Sequence, residues 1–239
     1  AARLVDLGAV MRQKEAYPEA CELYERALVM LRWEGPSSSV ASLDFASALN
    51  DLAIVVARMG DVKRASNLYR EVLGIRRRLL GDDHADIAET MSNLAMLHNR
   101  VGEFAEAEGL YRRSLEIQRR ALSANSPDIA STLNNFAGLL RASGRYSEAE
   151  SLDREALDLR RRVLKEHPDV AQSMNNLAID LYRRGEYVGS LELCREALAM
   201  WRRIYGEDHP EVARALNNLA QIHRASGLPH EAEPPYRTA

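Results

Sequence analysis

Along residues 126–143, SPDIASTLNNFAGLLRAS, apolar side chains recur at Ile129, Leu133, Phe136, Ala137 and Leu140. Steps of three and four place them on one face of a helix, with polar residues on the other. Pro127 suits the first turn, where a missing N–H costs nothing. Gly144 suits the end, because a left-handed residue closes a helix and Gly adopts that conformation cheaply. The apolar spacing resumes at Ala149, Leu152, Ala156 and Leu159, which predicts a second helix over about 147–164. The small residues Ala137 and Ala149 would let the two helices approach closely. No segment alternates with period two, so no strands are expected.

The same pattern returns along the chain. Gly60, Gly102, Gly144, Gly185 and Gly227 are separated by 42, 42, 41 and 42 residues. Two residues after each Gly stand Val62, Phe104, Tyr146, Tyr187 and Pro229, and five after stand Ala65, Ala107, Ala149, Ser190 and Ala232. Nine after come Tyr69, Tyr111, Asp153, Cys194 and Tyr236; seven before come Ala53, Ala95, Ala137, Ala178 and Ala220. A fixed period of this size means stacked repeats. Gly8, Tyr17, Ala20, Tyr24 and Ala27 fit the same frame, with Glu15 where the turn Gly would be. EGPSSS at 34–39 is the one linker-like stretch. The expectation is a single array over 1–239: five full helix-turn-helix repeats, at about 1–42, 43–84, 85–126, 127–167 and 168–209, and a truncated sixth at 210–239. Pro229, Pro234 and Pro235 suggest that the last unit frays.

Composition changes this picture little. The 239 residues are 46% hydrophobic and 28% charged, with a net charge of −3, so nothing draws the chain to nucleic acid or an anionic membrane. No apolar run reaches the 18 residues that a membrane helix needs. The start, AARLVDLGAV, lacks a signal peptide's basic and apolar regions and reads as an internal cut from a longer polypeptide. Cys21 and Cys194 form no disulfide framework, and a reducing cytoplasm is the expected location.

Candidate chemistry is sparse. GDDHAD, SANSPD, KEHPD and GEDHPE mark the joints between units, and His84, His167 and His209 recur there. Each lacks a second metal ligand at helical spacing, so helix capping is the expected role. His98 and His223 fall on the core side, and Cys194 replaces an aromatic packing residue and should be buried and inert. Arg runs at 76–78, 112–113, 119–120, 160–162 and 202–203 mostly fall late in second helices, where cations favour the negative helix end. No phosphate loop, HExxH, CxxC or GxSxG is present. No catalysis, cofactor or metal is expected.

The set G-x-[FY]-x-x-A-x-x-x-Y, preceded by L-x-x-[LF]-A, resembles the tetratricopeptide repeat (TPR). The usual repeat has 34 residues; the 42-residue form with NNLA and HPxVA is similar to the kinesin light chain type. The resemblance implies an all-α fold, a right-handed α-α superhelix, that binds protein segments in a concave groove. The first unit departs from it, with Val5 and Asp6 in place of the Asn pair, and the second has Asp51 for the second Asn.

That groove gives the repeated LNNLA-like motif a use. With Leu133 as position 4 of its helix and Ala137 as position 8, positions 2, 5, 6, 9, 12 and 13 form a stripe opposite the apolar one. Asn50, Ser92, Asn134, Asn175 and Asn217 occupy position 5; Asp51, Asn93, Asn135, Asn176 and Asn218 occupy position 6. An Asn amide both donates and accepts, so it can pair with peptide backbone of any sequence. Packed helices lie about 8–10 Å apart, which one rung per repeat matches to roughly three residues of extended peptide. The competing role, holding adjacent repeats together, stays open at both positions and is weightier at position 5. Arg12, Arg58, Arg100, Arg141, Arg183 and Arg224 stand at positions 12 and 13, where no acidic residue occurs. Forked Arg contacts favour an acidic segment. The expected function is a protein-binding adaptor. The alternatives are a regulatory array fused to an effector domain and a self-associating scaffold.

Overall fold

A computed structural model describes residues 1–33 and 43–227. Among the described residues, the turns within helix pairs are closed in one way. Gly60, Gly102, Gly144, Gly185 and Gly227 all have φ between 76° and 91°. In the first unit, Glu15 takes φ 58°, a non-Gly residue in the left-handed region. The residue that follows donates its N–H back five residues: Ala16 to Met11 O at 2.9 Å, Asp61 to Val56 O at 3.2 Å, Arg145 to Leu140 O at 2.8 Å. This is the Schellman arrangement, which satisfies carbonyls that the helix end would orphan.

Helix starts at the joints are capped as expected. His84, His167 and His209 each accept, through Nδ1, the N–H of the residue two ahead at 3.2 Å. Ser126 Oγ does the same for Asp128 at 3.3 Å. Pro127, Pro168 and Pro210 open the helices that follow.

These signals delimit eleven helices among the described residues: α1 (Ala2–Gln13), α2 (Tyr17–Trp33), α3 (Leu43–Arg58), α4 (Val62–Leu80), α5 (Ala85–Arg100), α6 (Phe104–Ala121), α7 (Pro127–Ala142), α8 (Tyr146–Val163), α9 (Pro168–Arg183), α10 (Tyr187–Tyr205) and α11 (Pro210–Ala225). No strand occurs among the described residues. The second helix of the fourth repeat runs 146–163, one residue earlier than the expected 147–164. Expectations placed on 34–39, Pro229, Ala232, Pro234, Pro235 and Tyr236 lie outside the described residues.

The chain divides into two compact units, Ala1–Leu122 and Ser123–Ala239. In the first, α1 to α6 pack as successive pairs, and Tyr24, Phe45, Tyr69, Ile75 and Ile87 fill the core. In the second, α7 to α11 pack in the same succession, around Met174, Leu177, Cys194, Leu198 and Trp201. Ala53 and Ala65, Ala95 and Ala107, and Ala137 and Ala149 are all fully buried, the small contacts that let partner helices close. No described helix is long and apolar enough to cross a membrane.

Candidate functional site

From α3 onward the first helix of each repeat buries its apolar face, and position 5 lies beside that face. Helical spacing alone places position 5 on the open stripe, but Asn50, Ser92, Asn134 and Asn175 are all buried. Asn134 spends its carboxamide within the protein. Its Nδ2 donates to Asp153, and its Oδ1 accepts from Arg160 Nη1 at 2.5 Å and Ser173 Oγ at 2.9 Å. Ser92 and Ser114 share a hydrogen bond at 2.9 Å, and Ser114 donates to Ala88 O at 2.6 Å. Asn175 Oδ1 accepts from Asn218 Nδ2 at 2.9 Å, tying α9 to α11. Asn50 and Asn134 therefore belong to the packed interior, as does Asn175. Burial is the physical reason: one step round the helix from a core residue is still inside when another helix pair stacks against it. Asn217, on α11, is exposed.

Position 6 opens outward. Asn135 is exposed, and Asn93, Asn176 and Asn218 are half-buried. Asn176 Oδ1 accepts from Gln172 at 2.7 Å. Asp51, the acidic substitute at this position, sits 3.8 Å from Arg12. Burial pushes the Asp51 carboxyl above its usual range, and Arg12 works against that rise.

Each unit holds a pocket of the same design. Between α3 and α5, Ile54, Met96 and Leu97 give an apolar floor beside Asn93, Arg58 and Arg100, enclosing about 260 Å³. Between α9 and α11, Ile179 and Ile222 give the floor beside Asn218 and Arg183, enclosing about 150 Å³. In both, position 9 of one first helix faces positions 6 and 10 of the next, with Arg at position 13 on the rim. Tyr17 and Tyr69 wall the first; Tyr182 walls the second. Asn175 also lines the second, and its Nδ2 is buried without a protein partner.

The arginines separate into two kinds. Arg58, Arg100, Arg183 and Arg224 are exposed and make no ion pair among the described residues. Arg100 Nη1 reaches Ala57 O at 2.9 Å, and Arg183 lies over the Tyr182 ring at 5.8 Å. Arg141 departs from the expected row. Its guanidinium turns inward to Asp153 and to Asp180, 2.9 Å from Oδ2. Both carboxylates are buried, and their charge draws Arg141 off the surface. By contrast, surface Arg in the second helices are largely paired: Arg112 with Glu108, Arg120 with Glu116, Arg161 with Glu196, Arg203 with Glu166.

Two residues that matter were read from sequence only as cations at helix ends. Arg76 and Arg160 are buried, and each reaches into the next helix pair: Arg76 to Asp86 O and Thr90 Oγ1, Arg160 to Asp169 O and Ser173 Oγ. The signal was their phase, sixteen residues after the turn glycines at 60 and 144, where Gln118 and Trp201 stand in other units.

Other candidate chemistry is held in packing. Cys194 is buried, donates to Ala215 O at 3.5 Å, and burial pushes its thiol up to about 12. His98 pairs with Glu103, and buried His223 lies 3.3 Å from Arg195. Among the described residues no three His, Cys, Asp or Glu side chains are grouped to hold a metal ion.

The tetratricopeptide repeat family model matches residues 44–120, 86–162, 128–189 and 169–239. Among solved structures, BtubC (BKLC) from P. vanneervenii superposes with a TM-score of 0.79 at 24% identity, over 93% of this chain and 89% of that one. A kinesin light chain-like protein from P. anserina with nearly identical TPR-like repeats superposes at 0.71 and 23% identity, over 80% of this chain and 92% of that one. The apo form of RapI superposes at 0.69 and 15% identity, over 92% of this chain and 58% of that one. No curated protein matches the chain in sequence. At these identities the structural likeness speaks to fold. Tetratricopeptide repeats generally mediate protein–protein interaction, on a fold that is generally a non-catalytic scaffold. With the family model spanning residues 44–239, the chain belongs to the tetratricopeptide repeat family, and two of its solved neighbours, BtubC and the P. anserina protein, are of the kinesin light chain-like kind.

Proposed function

We propose that this chain is an adaptor that binds an extended segment of a partner protein along the faces of its first helices. The observation that carries the reading is the recurrence of one pocket design in both units. Each offers an apolar floor for a side chain, an Asn at position 6 for backbone, and an Arg without a carboxylate partner at the rim. Asn93 and Asn135 make no side-chain hydrogen bond among the described residues, so their amides are available to a peptide's N–H and C=O. Asn176 and Asn218 keep part of that capacity. Arg58, Arg100, Arg183 and Arg224 favour a segment with carboxylates, because they stand along the first helices without an ion pair among the described residues and can offer forked contacts. Asn50, Asn134, Asn175 and Arg141 act behind the site, by holding its helices in place; Asn217 is the exposed member of their row.

A peptide array tests this. Overlapping twelve-residue segments, acidic and neutral, are probed with the full chain and with an Asn93→Ala/Asn135→Ala variant. Capture of acidic segments with apolar residues, weakened in a variant that melts like the parent, is the expected result. Equal capture by parent and variant would remove the position-6 amides from the site. Capture that ignores peptide charge would remove the acidic preference. A sensor array fused to an effector, and a self-associating scaffold, rest on no observation of comparable weight.

A further inference from the structure

One joint in the second unit is built unlike the others. At the place occupied by Tyr69 and Tyr111 in earlier repeats, α8 carries Asp153. Position 10 of the first helix is Val55, Leu97, Leu139 and Ile222 in other repeats, but Asp180 in α9. Both carboxylates are fully buried. Arg141 of α7 lies between them, with Nη1 at 2.9 Å and 3.1 Å from the two oxygens of Asp180 and bonded to Asp153 as well. Two buried carboxylates therefore share one cation that is itself half-buried.

We propose that this joint binds one proton at neutral pH, held between Asp153 and Asp180 beside Arg141, and that its release at alkaline pH loosens the packing of α9 on α7 and α8. With both carboxylates ionised, the triad carries an excess negative charge in a site with little solvent, which is costly. A single proton leaves one carboxylate paired with Arg141 and lets the other accept or donate as a neutral acid.

Among the described residues no second cation contacts Asp180. From α7 come Arg141 and the Asn134 amide, which donates to Asp153. From α8 comes Arg160, which is bonded to Asn134, Ser173 and Asp169 O, not to either acid. Glu150 of α8 is matched by Arg154 and Arg184. From α10, Ser190 donates to Ala178 O on α9. Burial raises both acids; Arg141 lowers them, and Asp153 raises Asp180 further, to about 8.

The sign follows. An unfolded Asp releases its proton at about pH 4. Between about pH 4 and 8 the folded chain holds a proton that the unfolded chain has lost, so stability falls as pH rises through that window.

Carboxyl ¹³C NMR of the full chain, with labelled Asp, is the direct test. One Asp carboxyl titrating near pH 8, and missing in Asp180→Asn, is the expected result. All Asp carboxyls ionised by about pH 6 would overturn the proposal. Thermal melts give a second readout: Tm of the parent falls by about 3–5 °C per pH unit over the upper part of that range. Asp180→Asn, and Asp180→Leu with the apolar type found at this position elsewhere, flatten that slope. A slope unchanged in both variants would also overturn it. Should neither variant fold, the titration of the parent still decides.

Discussion

Arg76 Nη1 donates to the main-chain oxygen of Asp86 at 2.6 Å, pinning the end of α4 to the first turn of α5. The same nitrogen lies 2.6 Å from Thr90 Oγ1 and 3.3 Å from Glu89. Arg160 repeats the arrangement between α8 and α9. A cation buried at this depth persists because its Nη1 meets a main-chain carbonyl and a hydroxyl in both places. Arg76→Ala strips those bonds and leaves a void, and an expected loss is about 2–4 kcal/mol. Arg76→Gln should cost less, since Gln118 fills the equivalent place in the next second helix. Urea unfolding of the two variants checks this. Equal stability of Arg76→Ala and parent would sink the pinning role.

Adjacent asparagines should behave as opposites. Asn134 bridges Asp153, Arg160 and Ser173, whereas Asn135 is exposed. Asn134→Ala leaves buried charged groups short of a partner, at a cost of about 2–3 kcal/mol. Asn135→Ala changes stability by less than about 0.5 kcal/mol, as surface substitutions usually do. Its effect is expected in peptide capture alone. A similar drop in melting temperature for both would mean that position 6 also holds the stack.

Those two residues mark where the sequence could be read and where it could not. Period, helix pairing, turn glycines and His caps are local: each depends on residues within a few places in the chain, so spacing reveals them. Which face of a first helix stays open is not local. It depends on how the next pair stacks, and one step of 100° or so separates buried Asn134 from exposed Asn135. The inward turn of Arg141 was hidden for the same reason. Its partners Asp153 and Asp180 lie 12 and 39 residues away, and each stands where the repeat ordinarily has an aromatic or an aliphatic residue. A deviation in two phases of adjacent repeats was the available signal.

Glu15 occupies the left-handed turn position where the other pairs have Gly. A side chain there crowds the neighbouring carbonyl, at about 1–2 kcal/mol, while Gly costs some backbone entropy in the unfolded chain. Glu15 is exposed, so its replacement removes little packing. Glu15→Gly is therefore expected to stabilise by about 0.5–1 kcal/mol, and the first helix pair should gain most. Amide hydrogen exchange in α1 and α2 locates the effect. Faster exchange there in the Gly variant would show that Glu15 is held by something other than the turn.

Charge at the pocket rims can be told from charge inside the stack by salt. Arg58 and Arg183 are exposed without ion pairs among the described residues, while Arg141 is committed to two buried carboxylates. An exposed pair is worth about 0.2–1 kcal/mol and is screened as ions are added. For an acidic peptide selected on the array, affinity should drop by roughly threefold to tenfold from about 0.03 to 0.3 M salt. Replacing Arg58 and Arg183 by Gln should weaken binding at low salt and flatten that dependence, with melting unchanged. Arg141→Gln should do the reverse: the two buried acids lose their cation, the melting temperature drops, and the salt slope for peptide remains. Fluorescence anisotropy at several salt concentrations, beside thermal melts of each variant, separates the cases. A salt slope that survives in the Arg58→Gln/Arg183→Gln double variant would place the acid-binding charge elsewhere on the chain.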